Sequence, residues 1–564
     1  MISHQRRALR RIKAALEARL ATVAAMFGLE SAVVPDVVLT AAREAGHGDF
    51  ATAAALAAGK AWHRNPMHIA QAVAAAGADE LTQVAEVHAA APGFVNLRMQ
   101  HSFWADVLRE ALARGADYGK SDILQDAGPV LIEFSSANPT GPLLVVQGRS
   151  CSLGATLVAM LRFAGAQAHA ETYLNDAGAQ LDLLADSIFA RYATACGVDT
   201  PLPVDGYAGD YVIDIALSLK DRDGDSWLRA EPLERRAAIG AYGRDRILCQ
   251  QREDMERFGV RFDRWFSESA LHSGGLIDDV ISQLQRRGEA YLSEGAVWLR
   301  STRFGDDKDR VLRRSDGRPT YLAADAAYHR EKLERGNKLL IDILGPDHHG
   351  YVARLKAIVA ALGYPGAVEV LLAQQVTLKR GDEVVAMSKR AGNVLTLREV
   401  LDEVGVDAAR FFFVSRAPES PLVFDIRLAV EQSANNPVYY VQYGHARIAS
   451  IIRRAIESAR ELALSRAREG ADVALLDGPA EIALIRRLAA FDAFVADAAK
   501  ARAPHRLTEY ARDVATGFHS FYTECVVLSD DEALTSARLS LCFAAQAVLG
   551  ATLSLLGVTA PQRM

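Results

Sequence analysis

Val130-Leu-Ile-Glu-Phe134 runs into Ser135-Ser-Ala-Asn-Pro-Thr-Gly-Pro-Leu143 and then into Leu144-Val-Val-Gln-Gly-Arg-Ser150. The first run is short, apolar and β-branched, which predicts a buried strand. Small and turn-forming residues follow, and the stretch near 148–165 predicts a helix. Strand, turn and helix in that order open a parallel α/β unit, and ligands collect at the carboxyl ends of its strands. Amides at the start of the helix favour a phosphate or carboxylate. Asn138 offers an amide donor and acceptor at the turn. Glu133 places a carboxylate on an otherwise apolar strand, where a charge without a partner is costly. It therefore requires a cation, from a ligand or from a nearby arginine.

Outward from this segment, residues 116–404 alternate strand-like and helical runs, including Leu339-Leu-Ile-Asp-Ile-Leu344, which argues a parallel sheet. Residues 1–115 read as a small α+β unit ending in the alternating segment Pro92-Gly-Phe-Val-Asn-Leu-Arg98. Residues 405–564 read as helical throughout, a bundle rich in alanine, leucine and arginine. Half of the 564 residues are hydrophobic and 24% are charged, which excludes a mainly disordered chain. The formal charge of −6 argues against a general polyanion-binding coat, although a local basic face remains compatible with it. Five widely spaced cysteines without a CxxC pair give neither a zinc ribbon nor a disulfide framework and fit a reducing cytoplasm. Arg6, Arg7, Arg10, Arg11 and Lys13 fit an ordinary first helix rather than a targeting segment. The charge-free stretch Leu539–Gln562 carries Ser540, Gln546, Thr552 and Ser554, so a bundle helix is expected there and no membrane span.

Two further segments bear on chemistry. Met387-Ser-Lys-Arg-Ala-Gly-Asn393 follows an expected hairpin turn at Gly381-Asp382, and its adjacent cations suit a negative leaving group such as pyrophosphate. Gly345-Pro-Asp-His-His-Gly350 follows the strand 339–344; its neighbouring histidines point in different directions and give no shared metal site. The run Asp306-Asp-Lys-Asp309 reads as a charge-balanced surface network. No dinucleotide fingerprint, Walker loop or nucleophile elbow is present.

In order, these segments resemble the arginyl-tRNA synthetases of class I over nearly the whole chain. The resemblance rests on 135–143, which leads into the family's HIGH motif, and on Asn175-Asp-Ala-Gly178 with Gln180. It also rests on Gly209-Asp-Tyr211, Ser267-Glu-Ser269, Gly305–Leu312, Ser315-Asp-Gly317 and Thr320-Tyr321. Asp325, Tyr328-His329, the KMSKS-like Met387-Ser-Lys-Arg390, the DALR-like Asp407-Ala-Ala-Arg410, Asn436–Tyr443 and the ending Ala560–Met564 complete it. It implies an α/β fold: a Rossmann-like class I synthetase catalytic domain, an N-terminal α+β domain that binds the tRNA elbow and a C-terminal α-helical anticodon-binding bundle. It implies ATP with Mg²⁺, arginine and tRNA(Arg) as reactants and partners, in a cytoplasmic monomer. By position, Glu133, Ser135, Asn138, Tyr321, Asp325 and His349 would bind substrate. Gly148, Met387, Ser388 and Lys389 would bind ATP, with Gln147 and Lys389 as catalytic groups and no resident metal. Phe94 and Asn96 would contact the tRNA elbow.

The chain departs from the family at its nucleotide motif. Leu144-Val-Val-Gln147 stands where the family has His-Val-Gly-His, and Ala386 replaces the first lysine of KMSKS. Gln147 can still donate one neutral hydrogen bond, whereas losing a transition-state donor costs on the order of 10²–10³ in rate. Two functions are therefore expected as alternatives. One is ATP-dependent attachment of arginine to tRNA. The other is a paralogue with impaired adenylation that binds arginine or tRNA, as a regulator or with pre-formed arginyl-tRNA.

Overall fold

The computed structural model describes residues 3–42, 45–77, 81–176, 178–385, 395–469 and 471–564. Its centre is a sheet of five parallel strands: β1 (Val130–Glu133), β2 (Ala168–Leu174), β3 (Arg264–Ser267), β4 (Leu339–Leu344) and β5 (Val368–Leu372). The spatial order is β5-β4-β1-β2-β3. The chain builds the sheet outward from β1 in one direction, then returns to add β4 on its other side. The reversal opens a crevice beyond the carboxyl ends of β1 and β4. Leu131, Ile132, Leu340 and Ile341 are wholly enclosed, as apolar runs in a parallel sheet must be.

Helix α1 (Val145–Phe163) joins β1 to β2. It starts earlier than the composition suggests, with Leu144 at the N-cap. Leucine has no side-chain acceptor to cap a helix, but the Gln147 side-chain carbonyl reaches back to accept from the Leu144 N–H at 2.8 Å. Gly154 lets this helix lie on the sheet, since a Cβ there would come within 2.3 Å of the Phe134 ring. Arg149, fully buried, donates to the carbonyls of Gln374, Ala417 and Ser420 and ties the first turn of α1 to two distant loops. Helix α2 (Tyr321–Glu334) leads into β4.

Between β2 and β3 the chain inserts helices Ala179–Ala195, Asp210–Asp223 and Pro232–Arg257 around their own core of Leu184, Ile188, Tyr192, Val212 and Leu219. Between β3 and α2 lies an antiparallel sheet of Ala290–Ser293, Ala296–Leu299 and Arg310–Arg313. Next to it, Asp306 is buried and paired with Arg310 at 2.8 Å, so the acidic run there is partly interior rather than a surface network.

The region after 405 is not helical throughout. Leu422–Asp425 is a strand that pairs in parallel with Val376–Arg380. Four residues in a helix-rich composition carry no period of their own, and the pairing partner lies earlier in the chain. The expected hairpin turn is present, with Gly381 at φ +67°. Among the described residues, six helices from Pro437 to Leu556 form the bundle. The last, Glu532–Leu556, is long and apolar enough by composition to cross a membrane, but 67% of its most apolar window is buried within the protein.

In the N-terminal unit a four-stranded sheet contains Phe94–Met99, and helix His4–Met26 joins its apolar residues to those of the C-terminal bundle. Arg486 of the bundle pairs with Asp49 and lies 5.5 Å over the Trp104 ring. Asn96 is buried, with its amide 3.4 Å from His88, so it presents no surface for an RNA contact; Phe94 is half-buried.

Candidate active site

The crevice beyond β1 and β4 contains two layers of charge. In the lower layer each acid has an internal cationic partner. Glu133, Glu171 and Asp342 face one another across β1, β2 and β4, because the sheet register places Glu133 opposite both others. Helix α2 and its C-cap residue Arg335 supply the cations. Lys332, with no exposed surface, pairs with Glu133 and, at 3.1 Å, with Asp342. Arg335 pairs with Glu171 at 2.7 Å, and the Tyr328 hydroxyl donates to the same carboxylate. His329 places Nε2 2.8 Å from Asp342 and Nδ1 2.8 Å from the Asp325 carbonyl. Burial works against both charges of the Lys332–Asp342 pair. Their mutual attraction, reinforced by Glu133 and His329, outweighs it, raising Lys332 above its usual range and holding Asp342 below the carboxylate range.

Lys332 corrects the expectation for Glu133. An internal lysine, rather than a local arginine, supplies a cation to Glu133. The other Glu133 oxygen accepts from the Ser136 hydroxyl at 3.0 Å.

The upper layer is not balanced. Asp325, Glu268 and Asp176 have no lysine or arginine partner among the described residues. Asp325 accepts from the Tyr351 hydroxyl. Asp176 accepts from the Ser267 hydroxyl at 2.7 Å and the Ser269 amide at 3.0 Å. Glu268 has His272 at 3.7 Å. Burial pushes the carboxyl of Asp325 up, and burial followed by the charges of Asp176 and Asp325 does the same to Glu268 against the pull of His272. The Tyr173 hydroxyl is raised by burial and by Glu268, Asp325, Glu133 and Asp176, which places it among all four carboxylates. Three buried or half-buried acids with no lysine or arginine partner among the described residues suit a cationic ligand.

The structure brings most of the expected site residues to this crevice. Tyr321 and Asp325 are one turn apart at the start of α2, with Tyr321 81% exposed and available to a ligand. Ser135 is buried at φ +61°, a left-handed conformation unusual for serine, and its carbonyl accepts from Thr172 at 2.9 Å. The Asn138 side-chain amide donates to Gln180 at 2.8 Å, and the Asn138 backbone carbonyl accepts from Gln251 at 3.1 Å. His349 is exposed on the short helix Pro346–Tyr351 after β4. Gln147 and Gly148 lie in the first turn of α1. Met387, Ser388, Lys389 and Arg390 lie outside the described residues. Just after them, Thr396 bridges to Leu144, and the Leu397 amide donates to the Leu143 carbonyl at 2.8 Å. Lys332, Glu268, Asp176, Tyr173 and Tyr351 carry no assignment from the sequence. A charged residue on a helix is by default solvated, and nothing local marks Lys332 as buried.

A second hollow, of about 440 Å³, lies on the helical bundle and is lined by Tyr443, Arg447, Arg454, Tyr522 and Arg563. The Arg447 guanidinium sits between the Tyr443 and Tyr522 rings, 5.0 and 5.1 Å from their centroids.

A reversed parallel sheet with a ligand crevice, helical insertions and a helical C-terminal bundle defines a class I aminoacyl-tRNA synthetase. Three family descriptions match in order: the arginyl tRNA synthetase N terminal domain over residues 10–99, the class I (R) tRNA synthetase catalytic domain over 244–419 and the DALR anticodon binding domain over 441–564. The arginine–tRNA ligase of Geobacillus kaustophilus is 44% identical over 98% of this chain and 99% of its own. That of Moorella thermoacetica is also 44% identical, with the same coverage. The solved arginyl-tRNA synthetase of Thermus thermophilus shares the fold with a TM-score of 0.75 at 23% identity, over 98% of this chain and 100% of its own. The chain belongs to the arginine–tRNA ligase family.

Proposed function

We propose that this protein joins arginine to tRNA(Arg) through arginyl-adenylate. The substrate carboxylate attacks the α-phosphorus of ATP and displaces pyrophosphate. A terminal ribose hydroxyl of the tRNA then attacks the adenylate carbonyl, loses its proton and releases AMP. The observation that carries this reading is the uncompensated acid layer. Asp325 and Glu268, with Asp176 beside them, suit a planar guanidinium that pairs bidentately with carboxylates. Tyr321 would cover the side chain, and Ser135 and Asn138 would face the amino-acid end. ATP phosphates would lie at the start of α1, where backbone amides and the Gln147 amide NH₂ can donate. Lys389 would neutralise the departing pyrophosphate. Mg²⁺ would arrive with the ATP phosphates and help neutralise their charge. The relatives that the chain matches are arginine–tRNA ligases, and nothing in that likeness favours a paralogue without adenylation; Leu144-Val-Val-Gln147 is the one departure that would. We infer action as a monomer in the cytoplasm.

The test is charging of tRNA(Arg) with arginine and with citrulline, its neutral isostere. Arginine should be preferred at least about 10³-fold, because citrulline would leave buried carboxylates without a countercharge. Comparable charging of the two would refute the reading.

The basic hollow on the bundle suits an unstacked RNA base held between Tyr443, Tyr522 and Arg447. Arg447→Ala should raise the KM for tRNA roughly tenfold and flatten its salt dependence, leaving the KM for arginine unchanged. Steady-state charging at two salt concentrations measures both.

A further inference from the structure

We infer that Lys332 is a positioning residue for the arginine site, an assignment that rests on the function proposed above. Its ammonium group is fully enclosed. It spends its three N–H groups on Glu133, on Asp342 at 3.1 Å and on the face of the Tyr328 ring, 4.1 Å from the ammonium nitrogen to the ring centroid. Each contact leads to an element of the arginine hollow. Glu133 accepts from Ser136, which belongs to the turn 135–138 that carries Asn138. That turn starts from Ser135 at φ +61°, a conformation that persists only when its surroundings hold it. Thr172 holds it on one side and the Lys332–Glu133–Ser136 chain on the other. Asp342 holds His329, whose other nitrogen donates to the Asp325 carbonyl. Lys332 therefore braces both walls of the hollow: the turn with Asn138 and the helix turn with Asp325.

Without the lysine charge, Glu133 and Asp342 would face each other as register partners in adjacent strands, with only His329 beside Asp342 and the Tyr328 hydroxyl, Glu171, Arg335 and Asp325 around them. Two buried carboxylates so placed share a proton. Lys332→Met should lower kcat/KM for arginine in pyrophosphate exchange about 100-fold at pH 7.5, mainly through KM, with the KM for ATP and the affinity for tRNA retained. Its deficit relative to wild type should shrink as the pH falls from 8 to 6, because the shared proton then binds more readily. Lys332→Met/Glu133→Gln, which removes the repulsion, should regain about tenfold over the single variant. Ser136→Ala cuts the link to the turn at an exposed position that folding does not need, and should raise the KM for arginine about fivefold at constant kcat. The inference falls if Lys332→Met keeps the wild-type KM for arginine, or if its deficit is independent of pH and extends equally to ATP and tRNA. Should Lys332→Met not fold, an unchanged arginine KM in Ser136→Ala overturns it. A wild-type protein that performs no arginine-dependent exchange would instead overturn the proposed function.

Discussion

Asp325→Asn is expected to lower arginine activation by roughly 10²–10³ or more while making the unliganded protein more stable. The Asp325 carboxyl is raised by burial and has no lysine or arginine partner among the described residues. A raised carboxyl pKa means that the folded state holds the proton more tightly than the unfolded one. The group therefore costs stability at neutral pH, and that cost disappears as the pH falls through the raised value. Asparagine keeps the shape and an acceptor for the Tyr351 hydroxyl but never ionises, so the melting temperature should rise by roughly 1–3 °C. In the proposed site, however, bound arginine would lose one of two acids, and removing one partner of a desolvated charge pair costs about 3–5 kcal/mol, or roughly 10²–10³ or more in kcat/KM. In the wild type the KM for arginine should rise as the pH falls toward the raised carboxyl values; in the variant this dependence should weaken. Pyrophosphate exchange against pH, together with a melting curve, measures all three. A variant that melts lower, or that keeps its KM for arginine, would contradict the account of the acid layer.

Gln147→Glu separates folding from catalysis at the start of α1. The Gln147 side-chain oxygen accepts from the Leu144 amide, and a glutamate oxygen can do the same. A carboxylate also suits the positive end of a helix. Stability should hold or improve slightly. The amide NH₂, however, becomes a negative oxygen beside the place proposed for the ATP phosphates. Loss of that donor and the added repulsion should lower pyrophosphate exchange by about 10²–10³, with the arginine-dependent melting shift intact. If exchange is unaffected, the phosphates do not lie at this helix start.

The strand 130–133, the strand 339–344 and the hairpin at Gly381 are legible in the chain because each is a local pattern: an apolar run, or a turn residue between two runs. The start of α1 is not, because its cap is Gln147 reaching back rather than a capping residue at position 144. The strand 422–425 is not, because its reason for being a strand lies in the pairing with 376–380. At the site, Asp325 and Tyr321 stand out through resemblance, whereas Glu268 and Asp176 gain meaning only once the structure shows that no described lysine or arginine answers them.

The sequence by itself determined the α/β class, the family and the departure at Leu144-Val-Val-Gln147, since these depend on residue types and their order. Only the tertiary structure decided which charges cancel. Glu133 and Lys332 are 199 positions apart, and a shared crevice brings them together. The interaction of two charges depends on their separation in space and on the medium between them, and neither quantity is written in the spacing of residues along a chain.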